Sequence, residues 1–566
     1  MTWFYLGTGP ANDPTILNRL LGFRGPIGCD VETISLTDRT PLGAGFAIGP
    51  NDKFYFTIDD ARFPWRLLHD PAQEIIFHNS GFDVRILEDY SGQPISNITD
   101  SCIIALLLGL PGKLANLCEE LFGRPPRLIS DLIGTGTNTI GMDQVPIDKV
   151  AERACEDAWD ALEAYFEISK RYTIPQRALD LETRFLPVAL NMERLGIRID
   201  KDAVHEHRLR LERQLTYFRD ICEGAFGFNP GSSPQLAIAL EARGYRVPYK
   251  ISSDGKRRPR LDKNILDTYY AVEPIAVMAR TYRSTQTLLT HLIKPLDEGR
   301  YLTEDRIYPR VNLNVASTGR ISRSVPPTQN ISSVLRNIVI PSEGNIILDW
   351  DFSQIELREA AWLWEDTAMQ SIFKSGKDVH TATADKLILA GLGHILGSDP
   401  SKRRRLAKDL NFAMLFGGTS ETLYNRKRIP LDIGEQLIQG YFTEFPGIAN
   451  GIAKTEKFAL ANGYTETVYG RRRDESLRLG YTSEYARAAA LRELINHPIQ
   501  GSAAEILKEA LILDSDKPQF HTVHDEGLLD VPSSYIYDGH INDVAPFDTP
   551  VETKIGINWR DMYPVS

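Results

Sequence analysis

The sequence predicts a multidomain protein of the α/β and α+β classes, with its strands gathered in two separate regions. Three observations lead there. At 566 residues the chain is several times the length of an ordinary single core, since domains run to about 150 residues each. Up to about residue 180 it alternates short apolar runs with helix-patterned stretches, the texture of a mixed sheet covered by helices. From Thr183 long helical segments take over, and acid-bearing apolar runs return at residues 346 to 358 and 520 to 531.

The elements follow in order. Pro26 to Glu32 reads as a strand with Asp30 and Glu32 on one face, because strand side chains repeat with period two. Glu74 to Asn79 is a second strand, closely followed by Asp83. Ala151 to Lys170 is helical, with Ala154, Ala158, Ala161, Leu162 and Tyr165 as its apolar face. Two long helices are expected over Asp202 to Ala225 and Glu273 to Leu296, separated by the turn-rich Phe228 to Pro234 and the basic Ser252 to Arg260. Ser353-x-x-Glu356 has the form of a capping box, so a helix should begin there. Asp366 to Tyr424 reads as helical, and Gln519 to Val531 as a hairpin turning near His524, Asp525 and Glu526.

Composition narrows the function classes. Hydrophobic residues at 42% and charged residues at 25% are ordinary for a soluble globular protein. No apolar run approaches the roughly 20 residues of a membrane span, and Met1 to Pro14 lacks the basic start and apolar stretch of a targeting segment. A cytoplasmic protein without membrane partners is expected. The cysteines at 29, 102, 118, 155 and 222 have no paired spacing, which argues against a disulfide framework and a zinc site. A net charge of −11 speaks against simple polyanion binding. DNA responds to the local field, however, and three basic clusters can supply one: Lys256 to Arg260, Lys402 to Arg405, and Arg471 to Arg473.

The chemistry concentrates in three segments. Asp351 lies in Ile346-Ile-Leu-Asp-Trp-Asp-Phe-Ser-Gln-Ile-Glu-Leu-Arg358 and Asp525 in Phe520-His-Thr-Val-His-Asp-Glu-Gly-Leu-Leu-Asp-Val531. Between them runs Arg404-x3-Lys408-x3-Phe412-x3-Phe416-Gly417, a cationic and aromatic stripe at helical spacing. Two carboxylates brought together by folding can hold a pair of divalent cations, and such a stripe can hold a triphosphate: equipment for nucleotidyl transfer. Arg404 and Lys408 near a helix start would oppose the helix dipole, a cost that a bound anion removes. Asp349, on the same strand face as Asp351, is the rival ligand.

These segments, in this order, resemble the A, B and C motifs of family A DNA polymerases, the bacterial DNA polymerase I type. Thr318-Gly-Arg320-Ile-Ser322, Pro326-x2-Gln329-Asn330-Ile331 and Asn496-x-Pro498-Ile-Gln500-Gly501 add to the likeness, which runs from about Gly28 to the C-terminus. The resemblance implies a right-hand polymerase domain over 181–566, with a thumb at about 200–300, fingers at about 366–479, and palm at about 307–365 and 480–566. It implies Mg²⁺ bound by Asp351, Asp525 and the Phe352 carbonyl, with Mn²⁺ a substitute and Glu526 a catalytic acid of lower standing. It assigns Arg404, Lys408, His380, Phe412, Phe416, Gln354 and Glu356 to the incoming dNTP, Glu356 excluding a ribose 2′ hydroxyl. Thr318, Arg320, Gln329, Asn330, Arg336, Arg492, Asn496, Gln500 and His524 are implied contacts to primer–template DNA, touching backbone or minor-groove edges and so checking shape rather than sequence. Most relatives carry Tyr where this chain has Phe416. Phe412 lacks a hydroxyl found in some relatives, and poor use of dideoxynucleotides is expected.

Asp30-x-Glu32, Asn79-x3-Asp83 and Asp157 resemble the motifs of the DnaQ-like 3′→5′ exonuclease domain, which implies a ribonuclease H-like fold over 1–180 and two further metal ions on these four acids. Where that family places Tyr, four residues before the last Asp, this chain has Arg153, and a retained but slowed proofreading activity is expected. The start of the chain leaves no room for a separate 5′ nuclease, which suggests either a stand-alone, phage-type enzyme or a fragment of a longer protein, expected to be a monomer.

Overall fold

The computed structural model describes residues 3–7, 14–36, 38–125, 127–136, 139–252, 254–313 and 315–565. Met1, Thr2 and residues 8–13, on which the reading of the Met1 to Pro14 stretch partly rests, lie outside them. The chain packs into two compact units, one of Met1–Asn191, Val311–Ser322 and Lys454–Leu513, the other of Met192–Arg310, Arg323–Ala453 and Asp514–Ser566. A single cut at residue 180 does not separate them. That position falls inside the helix Gln176–Leu195, and residues 454–513 pack with the first 191.

The first unit is built on a six-stranded sheet of β1 (Trp3–Gly7), β2 (Ile27–Thr33), β3 (Pro41–Gly49), β4 (Asp52–Thr57), β5 (Ile75–Phe77) and β6 (Ile98–Asp100), in the order β1-β4-β3-β2-β5-β6. The β2–β5 and β5–β6 pairs are parallel and the others antiparallel, the mixed sheet expected from the sequence. The helix Ile147–Arg171 lies directly on β2 and β3. Glycine permits this: a Cβ on Gly28 would strike the Ala158 carbonyl, and one on Gly45 the Ala154 carbonyl. Gly28, Asp30 and Glu32 alternate onto one face of β2, so the close approach sets that acid face against the helix. The sheet core is aromatic, with Phe46, Phe54, Phe56, Phe63 and Phe77 packed beside Leu186 and Leu190 of the Gln176–Leu195 helix.

The second unit carries a five-stranded antiparallel sheet. Its central strand Asn345–Phe352 lies between Glu526–Pro532 and Val551–Gly556, with Gln519–Val523 and Met562–Pro564 at the edges. Of the two long helices expected, Lys201–Phe226 is continuous. The other, Pro274–Leu288, widens into a π-helical turn at Leu289–Ile293 before Lys294–Asp297. Pro295 accounts for the widening, since it has no N–H to donate to the preceding turn. The basic stretch between these helices forms a hairpin, Tyr249–Ile251 against Arg257–Pro259. No helix among the described residues is long and apolar enough to cross a membrane.

The capping box at Ser353 does not form. The helix begins at Ile355, Gln354 precedes it with a left-handed φ of 59°, and no side chain caps it. Ser353 still belongs to the sheet edge: its N–H donates to the Pro550 carbonyl at 2.9 Å, and Glu356 is buried.

Candidate active sites

In the second unit, strand register assembles a face of acids. Asp351 stands opposite Glu526 on one neighbouring strand and Glu552 on the other, while Asp349 stands opposite Leu528 and Lys554. Directly paired residues share a face, so Asp349, Asp351, Glu526, Glu552 and Lys554 point to one side and Trp350 is buried on the other. The pairing of Val523 with Glu526 closes a two-residue loop, His524–Asp525, with His524 at a φ of 55°. Across the top, the Phe352 N–H donates to the Asp525 carbonyl at 3.2 Å. That bond makes Asp525 a spatial neighbour of Asp351, although 173 residues of chain separate them.

Electrostatics agree with the crowding. Burial first, then the charge of Asp525, pushes the Asp351 carboxyl up to about 6. Burial, then Asp349, pushes Glu526 up to about 8, opposed by Arg336, whose Nη2 lies 3.3 Å from Glu526 Oε1. Arg336 is held by the Trp559 ring, 3.8 Å from its guanidinium carbon. Asp349 is only 4% exposed, its Oδ1 has no hydrogen-bond partner, and burial pushes it to about 7. Among the described residues no three His, Cys, Asp or Glu side chains form a ready metal cage. A hard cation that keeps water and phosphate oxygens does not require one. Half-buried carboxylates that repel one another at the mouth of a hairpin are a donor set suited to Mg²⁺.

The helix Ile355–Leu363, which leaves the central strand, packs against Pro400–Leu415, the helix of the cationic stripe. Arg404 and Lys408 on it are exposed and Phe412 and Phe416 half-buried. The two rings are nearly parallel at 14°, with centroids 6.4 Å apart. The expected dipole penalty applies weakly here. The helix starts at Pro400 under an Asp399 cap, which places Arg404 in the second turn, where the terminal field has faded. Arg404 instead pairs with Asp378 (Nη2 to Oδ2, 2.8 Å), and although burial opposes it, this contact and Thr381 hold the Asp378 carboxyl well below the usual range. His380 is 2% exposed and lies 6.0 Å from the Phe412 ring, its Nδ1 3.0 Å from the Asn411 amide nitrogen. Burial lowers it to about 4, so it is a neutral imidazole whose Nε2 carries the proton.

The expected DNA contacts fall in different places. Arg492, Asn496 and Gln500 form a partly exposed stripe along Glu484–Leu513, whose Leu494, Ile495, His497 and Ile499 are buried, and they belong to the first unit with Thr318 and Arg320. Gln329 is drawn into the protein, donating to the Thr522 carbonyl at 3.2 Å and accepting from the Arg323 N–H at 3.2 Å, while Asn330 and His524 are exposed. The Arg471 to Arg473 cluster is not an open basic surface. Arg471 is 2% exposed and paired with Glu182, Arg472 with Glu466, and Arg473 with Glu475 and Glu493. Gly319 is required beside it, since a Cβ there would come within 2.7 Å of the Arg471 guanidinium. These acid partners are remote in sequence or lie outside the basic run, so the run alone gave no sign of them.

The first unit holds the second acid cluster. Asp30 and Glu32 face the Ile147–Arg171 helix, which carries Asp157, and Asp83 in the first turn of Ser80–Ser91 accepts the Val31 N–H at 2.9 Å. All four expected acids are thus drawn to one side of β2. Burial, then the neighbouring carboxylates, raises Asp30 well above the usual range, and burial also raises Asp83 and Asp157 and takes Glu32 to about 7. Arg153, one helical turn before Asp157, reaches into the cluster, with Nη2 2.7 Å from Asp157 Oδ2 and Nε 3.7 Å from Glu32 Oε1. Closely set acids, Glu32 and Asp83 buried and Asp30 and Asp157 partly so, that repel one another fit divalent cations, with one half of the set already facing a guanidinium.

An acid-faced antiparallel sheet with a cationic helix beside it, joined in one chain to a mixed sheet bearing four acids, defines a nucleotidyltransferase-type architecture with an appended nuclease-type domain. Residues 201–545 match the DNA polymerase family A profile and residues 12–172 the 3′-5′ exonuclease profile, and the chain belongs to DNA polymerase family A. DNA polymerase I of Chloroflexus aurantiacus is 30% identical over 540 residues, covering 88% of this chain and 56% of that protein. The thermostable DNA polymerase I of Thermus aquaticus is 28% identical over 432 residues, covering 72% and 50%. The chain therefore spans about half the length of these relatives. In fold it is similar to the POL domain of Pol1 from M. smegmatis, solved in complex with DNA primer–template and dNTP, with a TM-score of 0.79, 21% identity, and coverage of 98% and 99% of the two chains.

Proposed function

We propose that the protein extends a DNA primer along a template from dNTPs and removes mispaired 3′ termini, in replication or repair. The observation that carries the synthetic half is the Phe352 N–H to Asp525 carbonyl bond, which makes neighbours of the two acids the chemistry needs. Magnesium, when bound there, lowers the pKa of the primer hydroxyl and neutralises the pyrophosphate leaving group. The chain's own residues do the rest. Asp351 and Asp525 fix the position of the metal ions, and Arg404 and Lys408 offer cations to the triphosphate, Arg404 exchanging its Asp378 partner for phosphate oxygens. The paired rings of Phe412 and Phe416 give the base a stacking surface. His380, neutral, donates a hydrogen bond from Nε2 to a phosphate oxygen without adding charge. Glu356, buried at the start of its helix, supports the exclusion of a ribose 2′ hydroxyl.

The exposed Lys256 to Arg258 hairpin suits contact with the duplex backbone during synthesis; for the hydrolytic half, the cluster of Asp30, Glu32, Asp83 and Asp157 would hold divalent metal, which would activate water. Primer extension with dNTPs against NTPs tests the first half, and incubation of a 3′-mismatched primer with Mg²⁺ and no nucleotide tests the second. Extension is expected with dNTPs only and to stop in Asp351→Asn; shortening of the mismatched primer is expected and should stop in Asp30→Ala. Indifference to either substitution would overturn the corresponding half.

A further inference from the structure

Arg153 divides the exonuclease acids into two unlike halves. Its guanidinium touches Asp157 at 2.7 Å and faces Glu32 at 3.7 Å, so one fixed positive charge already serves that pair. Among the described residues Asp30 and Asp83 form no ion pair, the Arg153 charge reaching Asp30 only through space, and Asp83 commits one oxygen to the Val31 N–H. Tyrosine at this place would leave all four acids to metal ions. Arginine cannot do so, because its charge persists at every pH at which the protein is folded.

We propose that Arg153 is the resident counter-cation of the Glu32–Asp157 half, and that the exonuclease centre takes up a single divalent ion, on its Asp30–Asp83 half. This rests on the exonuclease assignment above. A second divalent ion entering between Glu32 and Asp157 has either to break both Arg153 contacts or to stand a few ångströms from a guanidinium. At an effective dielectric near 20 that proximity weakens binding by roughly 100-fold or more. The side chain has little incentive to swing away. It lines two neighbouring cavities of about 310 and 380 Å³, but Arg127 and, in the second, Lys149 line them too, so the acids there already face other cations.

The test counts ions directly, with no reliance on turnover. The full chain carrying Asp351→Asn and Asp525→Asn, to silence the polymerase centre, is titrated with Mn²⁺ in the presence of saturating dTMP, a product-class mononucleotide. Bound ions are read from the loss of the free Mn²⁺ electron paramagnetic resonance signal, and thermal melting verifies that each variant is folded. One ion is expected in this background, lost in Asp30→Asn and retained within about threefold in Glu32→Gln. Arg153→Tyr and Arg153→Ala should each add a second ion, and Arg153→Lys, which keeps the charge, should remain at one. Two ions of similar affinity with Arg153 in place, or one ion still in both Arg153→Tyr and Arg153→Ala, would overturn the proposal and leave the exonuclease assignment standing. No ion in either Arg153→Tyr or its parent would remove both.

Discussion

His380 is the side chain at which burial most directly decides a chemical role. It titrates at about 4 in the folded chain and near 6.5 when unfolded. Between those values the unfolded chain binds a proton that the folded chain refuses, so stability should fall as pH drops from 6.5 to 4. His380→Gln should flatten that slope in thermal melts. The same burial predicts that KM for dNTP shows no histidine inflection between pH 5.5 and 8; an inflection near 6.5 that vanishes in His380→Gln would contradict a neutral role. Phe412 carries a second prediction. Its ring has no hydroxyl to replace the 3′ hydroxyl that a dideoxynucleotide lacks, so dideoxy substrates should be used poorly, and Phe412→Tyr should narrow the gap by on the order of 100-fold in relative kcat/KM. That Asp351 and Asp525 become neighbours was legible because each sits in a short motif. The opposition of Asp349 to Lys554 was not, because strand register is set by the partner strand and not by the run itself.

Among elements, the helix Glu484–Leu513 is tied to Gln176–Leu195 by buried charge. Lys508 Nζ lies 2.5 Å from Glu182 Oε1, Arg471 pairs with the same oxygen, and Glu505 accepts from Thr467 Oγ1 at 2.8 Å, all of them at most 2% exposed except Thr467. One carboxylate therefore answers two buried cations. Glu182→Gln should cost about 3 to 5 kcal/mol, because it removes the only carboxylate in hydrogen-bond contact with Lys508 among the described residues and leaves Arg471 with Glu505 alone, 3.7 Å away. Chemical denaturation would measure it, and a cost below about 1 kcal/mol would mean that water reaches the cluster. Glu505, pushed to about 7 mainly by burial, adds a pH signature: its proton stabilises the folded chain, so stability should fall as pH rises from 4.5 to 7, and Glu505→Gln should remove that fall. Helix periodicity located Lys201–Phe226 and Pro274–Leu288 but not the π-helical turn that follows the latter, and the Ser353 cap failed because a hydrogen bond to Pro550, remote in sequence, outbid the local motif. The Arg471 to Arg473 run misled for the same reason, since local charge density carries no information about distant acids.

At the scale of the whole chain, the two candidate centres reside in different compact units: Asp351 and Asp525 in one, Asp30, Glu32, Asp83 and Asp157 in the other. Val31 and Arg153, which contact the one set, and Arg336 and Phe352, which contact the other, each lie in the unit of the acids they touch. Effects of substitution at sites without shared partners add. Asp351→Asn should thus suppress primer extension by on the order of 1,000-fold or more while mismatched termini are still shortened, and Asp30→Asn should do the reverse. In the double variant each loss should equal that of its single variant within about twofold. The stripe of Arg492, Asn496 and Gln500 complicates this expectation in an instructive way, because it belongs to the exonuclease-bearing unit although the sequence motifs assign it to synthesis. Gln500→Ala should therefore be measured in both assays. Loss of extension with hydrolysis intact would assign the stripe to the primer in its synthetic position, and a parallel loss in both would mean that one DNA-holding surface serves both reactions.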